Sequence, residues 1–414
     1  MALWQNVGKL HFTRPSDSGN FKRAEQDPEC EDRYKVYICS DNEGSVYERG
    51  FRMWYFFAVC GGNKGDSFEF EIMNLNPMLE LYNRTMKPVH LVSARFCENE
   101  DVPIVGWETV PGKVSITRLG NAMRVKFQFT FPQTNTVAYF CPFAPFSYSQ
   151  TQRMLCRLEH VVASKLAPKD IYFVREHLVN SLDGNRVDLL TISSQNGKGT
   201  EDDREEYLPN LFPTREVPRP HRFRQKQYVF ISCRVHPGEN QASYCLRGVL
   251  RYLTSATHCA KQLRDIYVFK ILPMLNPDGV RRGNYRCNSR GENLNRMYLN
   301  PLLKFHPTIY AWKEVIRVIS KWELSSPHTH TSVGCKNGDN QIVVGKSCRE
   351  NERVAPSKKV QENLLGSSTK QMVFFLDMHG HAMRPGCYVM STSAPGFGPL
   401  ALKNQALKYA FAKL

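Results

Sequence analysis

Between Met123 and Phe131 the chain reads MRVKFQFTF, and Val125, Phe127, Phe129 and Phe131 alternate with Lys126, Gln128 and Thr130. A period of two is the pattern of a half-buried strand. SFEFEIM repeats it, with Phe68, Phe70 and Ile72 set against Glu69 and Glu71. Two further β-prone runs, YKVYICS and FRMWYFFAV, are separated by clusters of Gly, Asn and Asp. Together these runs predict a small antiparallel β-sandwich over residues 1–150, with a structural or substrate-orienting role.

After Tyr148 the pattern changes to helix and strand in alternation, which predicts an α/β domain over residues 151–414. TQRMLCRLEHVVASK, residues 151–165, has helical spacing. A polar stretch from Ser193 to Arg224 reads as a surface excursion, and its acidic run EDDREE as a solvated face. YVFISCRV, residues 228–235, is apolar and β-branched enough for a buried strand that ends at His236. Ala242, Cys245, Leu246, Val249, Leu250 and Leu253 then follow at helical spacing, placing Glu239 at or just before a first helical turn. IYVFKIL and QMVFFLDM predict two more buried strands; the first runs into PMLNPDGVRRGNYR and the second ends at His379. Between them, a segment rich in Ser, Lys, Asn and Gly from about 320 to 370 reads as a mobile insertion.

Composition narrows the classes. The N-terminus lacks the apolar core of a signal peptide, and no apolar run approaches the roughly 18 residues needed to cross a bilayer, so a soluble intracellular protein is expected. The 13 cysteines are odd in number and contain no Cys-x-x-Cys pair, which reads as buried reduced thiols. Asn83-Arg84-Thr85 is a glycosylation sequon that would carry no sugar in a cytosolic chain. Lys+Arg 55 against Asp+Glu 39 leaves a formal charge of +16, which favours a polyanionic partner: nucleic acid, an anionic membrane face or an acidic protein tail. Without basic blocks, zinc-finger spacing or basic heptads, dedicated nucleic-acid binding is disfavoured. Nothing in the sequence sets an oligomeric state.

Candidate chemistry starts at HPGE. Alone, His236 and Glu239 read as two polar residues beside a Pro-Gly turn before they read as metal ligands. The strand ends add weight, because in α/β sheets the carboxyl ends of strands form the crevice where ligands bind. That geometry can bring His236, Glu239 and His379 together, and zinc suits two imidazoles and one carboxylate with a fourth position left for water. A second constellation lies in VRRGNYRCNSRGENLNR, with arginines at 281, 282, 286, 290 and 296. Guanidinium groups recognise carboxylates through paired hydrogen bonds, so a zinc site beside them suggests hydrolysis next to a free carboxylate.

The order HPGE, NPDGV, GNYR, NLNR and DMHGH resembles the M14 zinc carboxypeptidases, in particular the cytosolic carboxypeptidases that remove glutamates from tubulin. SDSGN, PFSYS, SLDGNRVDLLTIS and the long insertion before DMHGH are most similar to the branch associated with branch-point glutamates. The resemblance implies a small N-terminal β-sandwich on an α/β carboxypeptidase domain with a mixed sheet. It implies one Zn2+ held by His236, Glu239 and His379, a terminal carboxylate bound by Asn295 and Arg296, and a scissile carbonyl polarised by Arg286. His381 reads as a supporting or packed histidine, and Asp377 as either an orienter of a zinc-bound imidazole or a strand-end hydrogen-bond partner. The implied activity is deglutamylation of polyglutamylated tubulin or other acidic tails, in the cytoplasm, with microtubules or the nucleus as compatible places. The alternative is a non-catalytic zinc-containing binder of such tails.

Two departures stand out. HPGEN replaces the more usual HPGET, at a position that is not a ligand. After Cys387 the family pattern is lost, and no Asp or Glu follows His379. The carboxypeptidase domain therefore reads as C-terminally incomplete, with the family's general-base glutamate absent from the chain. A gene-model artefact or splice form of an active enzyme is the expected origin, with a true pseudoenzyme as the alternative.

Overall fold

The computed structural model describes residues 4–15, 17–77, 86–94, 96, 102–164, 168–322, 372–381 and 390. Residues 323–370 of the polar insertion, the sequon and, apart from Met390, the segment after Cys387 lie outside the described residues.

Eleven strands come first: β1 (Gln5–Val7), β2 (Leu10–Thr13), β3 (Phe21–Asp27), β4 (Cys30–Ile38), β5 (Phe57–Cys60), β6 (Ser67–Leu75), β7 (Val89–Ser93), β8 (Glu108–Thr109), β9 (Ser115–Leu119), β10 (Ala122–Thr130) and β11 (Val137–Cys141). They form a six-stranded sheet, β1-β2-β5-β11-β7-β8, and a five-stranded one, β3-β4-β6-β10-β9. The period-two pattern sets the register. Phe70 faces Phe127 and Phe68 faces Phe129 across β6 and β10, and these rings meet Phe12, Phe57 and Phe140 of the other sheet in one apolar core. Each buried aromatic contributes roughly 1.5–3 kcal/mol, so alternation alone is enough to choose the inward face. One pair departs from the antiparallel expectation, since β4 and β6 run parallel. FRMWYFFAV is strand only from Phe57, but Trp54 and Phe56 still bury their rings beside Tyr139 and Cys141 on the outer face of the six-stranded sheet.

Helix α1 (Tyr148–Ala163) begins earlier than its apolar spacing predicts. The cause is a capping box: Gln150 donates its backbone N–H to Ser147 Oγ, and Ser147 donates its own to Gln150 Oε1. Asp17 of the sandwich accepts from Ser149 N at 2.7 Å, which satisfies another first-turn donor.

A mixed sheet follows, ordered β12-β13-β15-β14-β16, from β12 (Ile171–Asn180), β13 (Arg186–Ser194), β14 (Gln227–Cys233), β15 (Tyr267–Leu272) and β16 (Met372–Met378). The last three are parallel. Successive residues of β14 serve opposite faces: Tyr228 and Phe230 pack with Trp312 of helix α5 (Pro307–Ile319), and Val229 and Ile231 with Leu246 and Leu250 of α2 (Asn240–Leu253). Burial on both faces explains the unbroken apolar run. Helices α3 (His258–Ile266) and α4 (Pro277–Arg282) flank β15 in the chain.

Two expectations are corrected. The EDDREE run is not wholly solvated: Glu205 is buried and paired with Arg219 at 2.7 Å, and Arg219 also meets Glu176 at 2.8 Å. Lys270 of β15 completes this buried group, so the excursion is stapled to the sheet by charge. Nor are the thiols uniformly buried. Cys141, Cys233 and Cys287 are, whereas Cys156, Cys245 and Cys259 are exposed.

Candidate metal centre

The site sits where the parallel strands end. Leu275 N donates to Cys233 O at 2.9 Å and Asn276 N to Arg234 O at 3.1 Å, which carries the pairing of β14 and β15 past the strands. The run expected to stay extended to Val235 turns sharply at Arg234, whose φ is +60°. A non-glycine residue there costs about 1–3 kcal/mol. Its buried guanidinium offsets that cost by donating to Phe146 O, Ser243 Oγ and Pro237 O at 2.8, 2.9 and 2.5 Å. The turn aims His236 back over the strand end. Glu239 is the N-cap of α2 but makes no side-chain capping bond, so its carboxylate is free to face the imidazoles.

His236 Nδ1 lies 2.8 Å from Glu239 Oε1, and His379 Nδ1 lies 3.0 Å from Glu239 Oε2. One ligand atom from each of the three residues falls within 4.8 Å of the others. The far ring nitrogens are also occupied: Asn293 Oδ1 is 3.2 Å from His236 Nε2, and Asp377 Oδ2 is 2.9 Å from His379 Nε2. Such partners fix the tautomer and turn each near nitrogen toward the metal position. Asp377 makes contacts compatible with either reading of it, because beside the His379 ring it also accepts from Ser232 Oγ on its other oxygen at 2.8 Å.

The donor set fits a zinc ion. Burial pushes the Glu239 carboxyl up, but hydrogen bonds from His236 and His379 outweigh it and hold it down at about 2. Burial lowers His379, but Asp377 and Glu239 raise it to about 10. The pocket therefore draws positive charge between carboxylate and imidazole, where a divalent cation can replace a proton.

Glycines lock this turn to its neighbours. A Cβ on Gly238 would enter the Tyr285 ring, and one on Gly279 would meet Pro237. Close approach, not turn formation alone, is why HPGE and NPDGV need them. Gly238 N donates to Tyr285 O at 2.9 Å, coupling HPGE directly to GNYR.

Of the arginines, only Arg286 reaches the group, with Nη1 3.7 Å from Glu239 Oε1 and 3.4 Å from His236 Nδ1. Asn295 and Arg296 lie on a short 3-10 turn, Leu294–Arg296, with Asn295 half-buried and Arg296 exposed. They connect to the centre through Asn293, whose Oδ1 also accepts from Asn295 N at 3.0 Å. The expected five-arginine cluster does not converge. Arg282 forks onto Asp183, Arg281 donates to Asn185 Oδ1, and Arg290 lies over the Phe305 ring, because α4 turns the first two toward the β12–β13 hairpin. His381 is exposed and outside the three-residue group.

Sequence reasoning missed three contributors. Asn293 was legible, as the first residue of NLNR. Asn240, the departure from HPGET, is buried and accepts from Phe146 N at 3.2 Å, tying the turn to the PFSYS stretch. Asp41, in the N-terminal sandwich, carried no local signal.

Comparison with known proteins covers the same elements. The zinc carboxypeptidase family model, Peptidase_M14, matches residues 170–384. Cytosolic carboxypeptidase-like protein 5 is 34% identical over 408 residues in Homo sapiens, covering 87% of this chain and 45% of the human protein. Cytosolic carboxypeptidase 1 of Xenopus laevis is 32% identical over 321 residues, covering 75% of this chain and 24% of that protein. The chain thus spans less than half the length of these relatives. Among solved structures, a putative carboxypeptidase from Burkholderia mallei superimposes with a TM-score of 0.59 at 19% identity, over 97% of this chain and 76% of that one. One from Shewanella denitrificans gives 0.54 at 21% identity, over 74% and 66%. These establish a shared fold. With the family match running through the very strands and loops that assemble the centre, the chain belongs to the M14 zinc carboxypeptidases.

Proposed function

We propose that the protein is a metallocarboxypeptidase of the deglutamylase type, acting on free glutamate termini of acidic protein tails such as polyglutamylated tubulin. The observation that carries this reading is the convergence of His236, Glu239 and His379 with the Arg286 guanidinium 3.7 Å from Glu239 Oε1. Zinc bound there would supply Lewis-acid polarisation and a water made acidic near neutral pH. Arg286 would hold the scissile carbonyl oxygen and stabilise the charge that develops on it. Arg296 and Asn295, one turn away, would grip the terminal carboxylate and so require a free chain end. The +16 formal charge favours an acidic tail over a neutral one. The cytoplasm is the proposed location: the relatives are named cytosolic, and no helix among the described residues is long and apolar enough to cross a membrane.

One observation favours the second reading, a zinc-containing binder that does not cleave. Both described carboxylates at the centre are engaged, Glu239 by two imidazoles and Asp377 by Ser232 and His379, and neither is free to accept a proton from water. A positioned acid/base contributes about 10²- to 10⁴-fold in rate, so the 414-residue polypeptide should bind zinc and peptide but release glutamate slowly. Glutamate release from a polyglutamylated tail peptide, compared between residues 1–414 and any longer natural form, tests both readings. Turnover in the longer form, abolished by His236→Ala, supports the peptidase; tight binding without turnover in both supports the binder.

A further inference from the structure

We infer that Asp41, in the N-terminal sandwich, is the positioning residue for Arg286, so that the sandwich forms part of the substrate site; this rests on the substrate role proposed above for that arginine. Asp41 follows β4 and is 1% exposed. Its carboxylate accepts three consecutive backbone N–H groups, from Tyr285 at 2.6 Å and from Arg286 and Cys287 at 2.8 Å each. Three converging amides leave the segment little choice of φ and ψ, and hence fix where the Arg286 side chain departs. Asn42 extends the grip: its N donates to Asn284 Oδ1, its Nδ2 to Asn288 O, and its Oδ1 accepts from Asn284 Nδ2. Arg49 closes the loop with a backbone bond to Asp41 O and donates its Nε to Gly291 O at 3.0 Å. Below, the Tyr285 ring packs against the cluster containing Trp54, Tyr139 and Cys141.

A buried charge is an expensive way to join two domains. Apolar packing of similar volume is commonly neutral or better for stability. Burial pushes the Asp41 carboxyl up to about 6 against the pull of its three amides, which shows the cost. What the carboxylate provides that an apolar side chain cannot is a set conformation for the residues on either side of the guanidinium.

The test uses the zinc-loaded 414-residue chain and a peptide ending in free glutamates. Asp41→Asn should leave zinc stoichiometry unchanged, speed amide exchange at Tyr285, Arg286 and Cys287, and weaken peptide binding about 10-fold, the scale of losing a supporting contact. The double variant Asp41→Asn/Arg286→Ala should bind no more weakly than Arg286→Ala alone, because both act through one group. Asn42→Ala, which keeps the carboxylate, should show the same pattern to a lesser degree and stands in if Asp41→Asn does not fold. Unchanged affinity in Asp41→Asn, while Arg286→Ala weakens it, overturns the inference, as does additivity in the double variant. Joint loss of zinc and peptide in both sandwich variants would show a general fold defect and also overturn it. Unchanged affinity in Arg286→Ala would instead overturn the substrate role of that arginine, and the inference with it.

Discussion

His236 and Glu239 are three residues apart between the end of β14 and the start of α2, whereas the backbone of Arg286 is held by Asp41, 245 positions earlier in the N-terminal sandwich. The metal half of the site is thus a local structure. Its geometry follows from a kinked strand, a tight turn and a helix start, and only His379 has to arrive from a distance, on a strand paired directly with β14. The proposed substrate half is a loop with little secondary structure of its own, shaped by contacts with the N-terminal sandwich. The difference predicts that zinc binding and peptide binding separate by mutation, and that the metal half tolerates damage to the sandwich.

The largest expected effect is on the metal half alone. His236→Ala or His379→Ala should reduce bound zinc from about one ion per chain to near none, since three ligands are few and even a supporting contact is worth 10- to 100-fold. Metal analysis of the purified variants checks this, and undiminished zinc in both would remove the assignment. On the substrate half, Arg296→Ala should cost about 2 kcal/mol, roughly 30-fold in peptide affinity, once a bound carboxylate covers that exposed side chain. Zinc content should not change. A C-terminally amidated peptide that binds as well as the free acid would show that Arg296 serves another purpose.

A smaller effect probes the seam between the halves. Asn293→Ala removes the partner of His236 Nε2 and of Asn295 N together, and should weaken zinc about 10-fold while also loosening peptide binding. A competitive chelator titration beside a peptide titration reads both; loss of only one would move Asn293 wholly into that half. The smallest effect is on stability against pH in the metal-free protein. Glu239, depressed to about 2, contributes stability that is present above its unfolded value near 4.5 and is lost as pH falls toward 2. His379, raised to about 10, contributes stability that is complete below about 6.5 and is lost as pH rises through 10. Melting temperature should therefore fall between pH 6.5 and 10 without metal, and fall less with zinc, which displaces the proton on His379. Equal slopes with and without zinc would place the ion elsewhere.

Much of this was legible along the chain. Alternation in MRVKFQFTF and SFEFEIM specified strands and their inward faces, because burying four or five aromatics outweighs any competing local preference. The buried parallel strands were visible as unbroken apolar runs, and HPGE, GNYR and DMHGH marked the centre because metal ligation and backbone approach demand particular residue types. Arg234 was invisible as a kink, since nothing in its neighbours forbids an extended chain; tertiary acceptors at Phe146 and Ser243 make the turn affordable. The arginine run likewise promised a cluster, but side chains on α4 obey helix direction, and Arg281 and Arg282 turn away to the β12–β13 hairpin.

By itself, then, the sequence determined which segments are strands and which residues can hold a metal, because periodicity and ligand chemistry act over a few residues. Only the tertiary structure decided which of five arginines faces the metal ligands and which distant carboxylate holds its loop. Those choices depend on contacts between residues 96 to 245 positions apart, where hydrogen-bond geometry, not local preference, selects the partner.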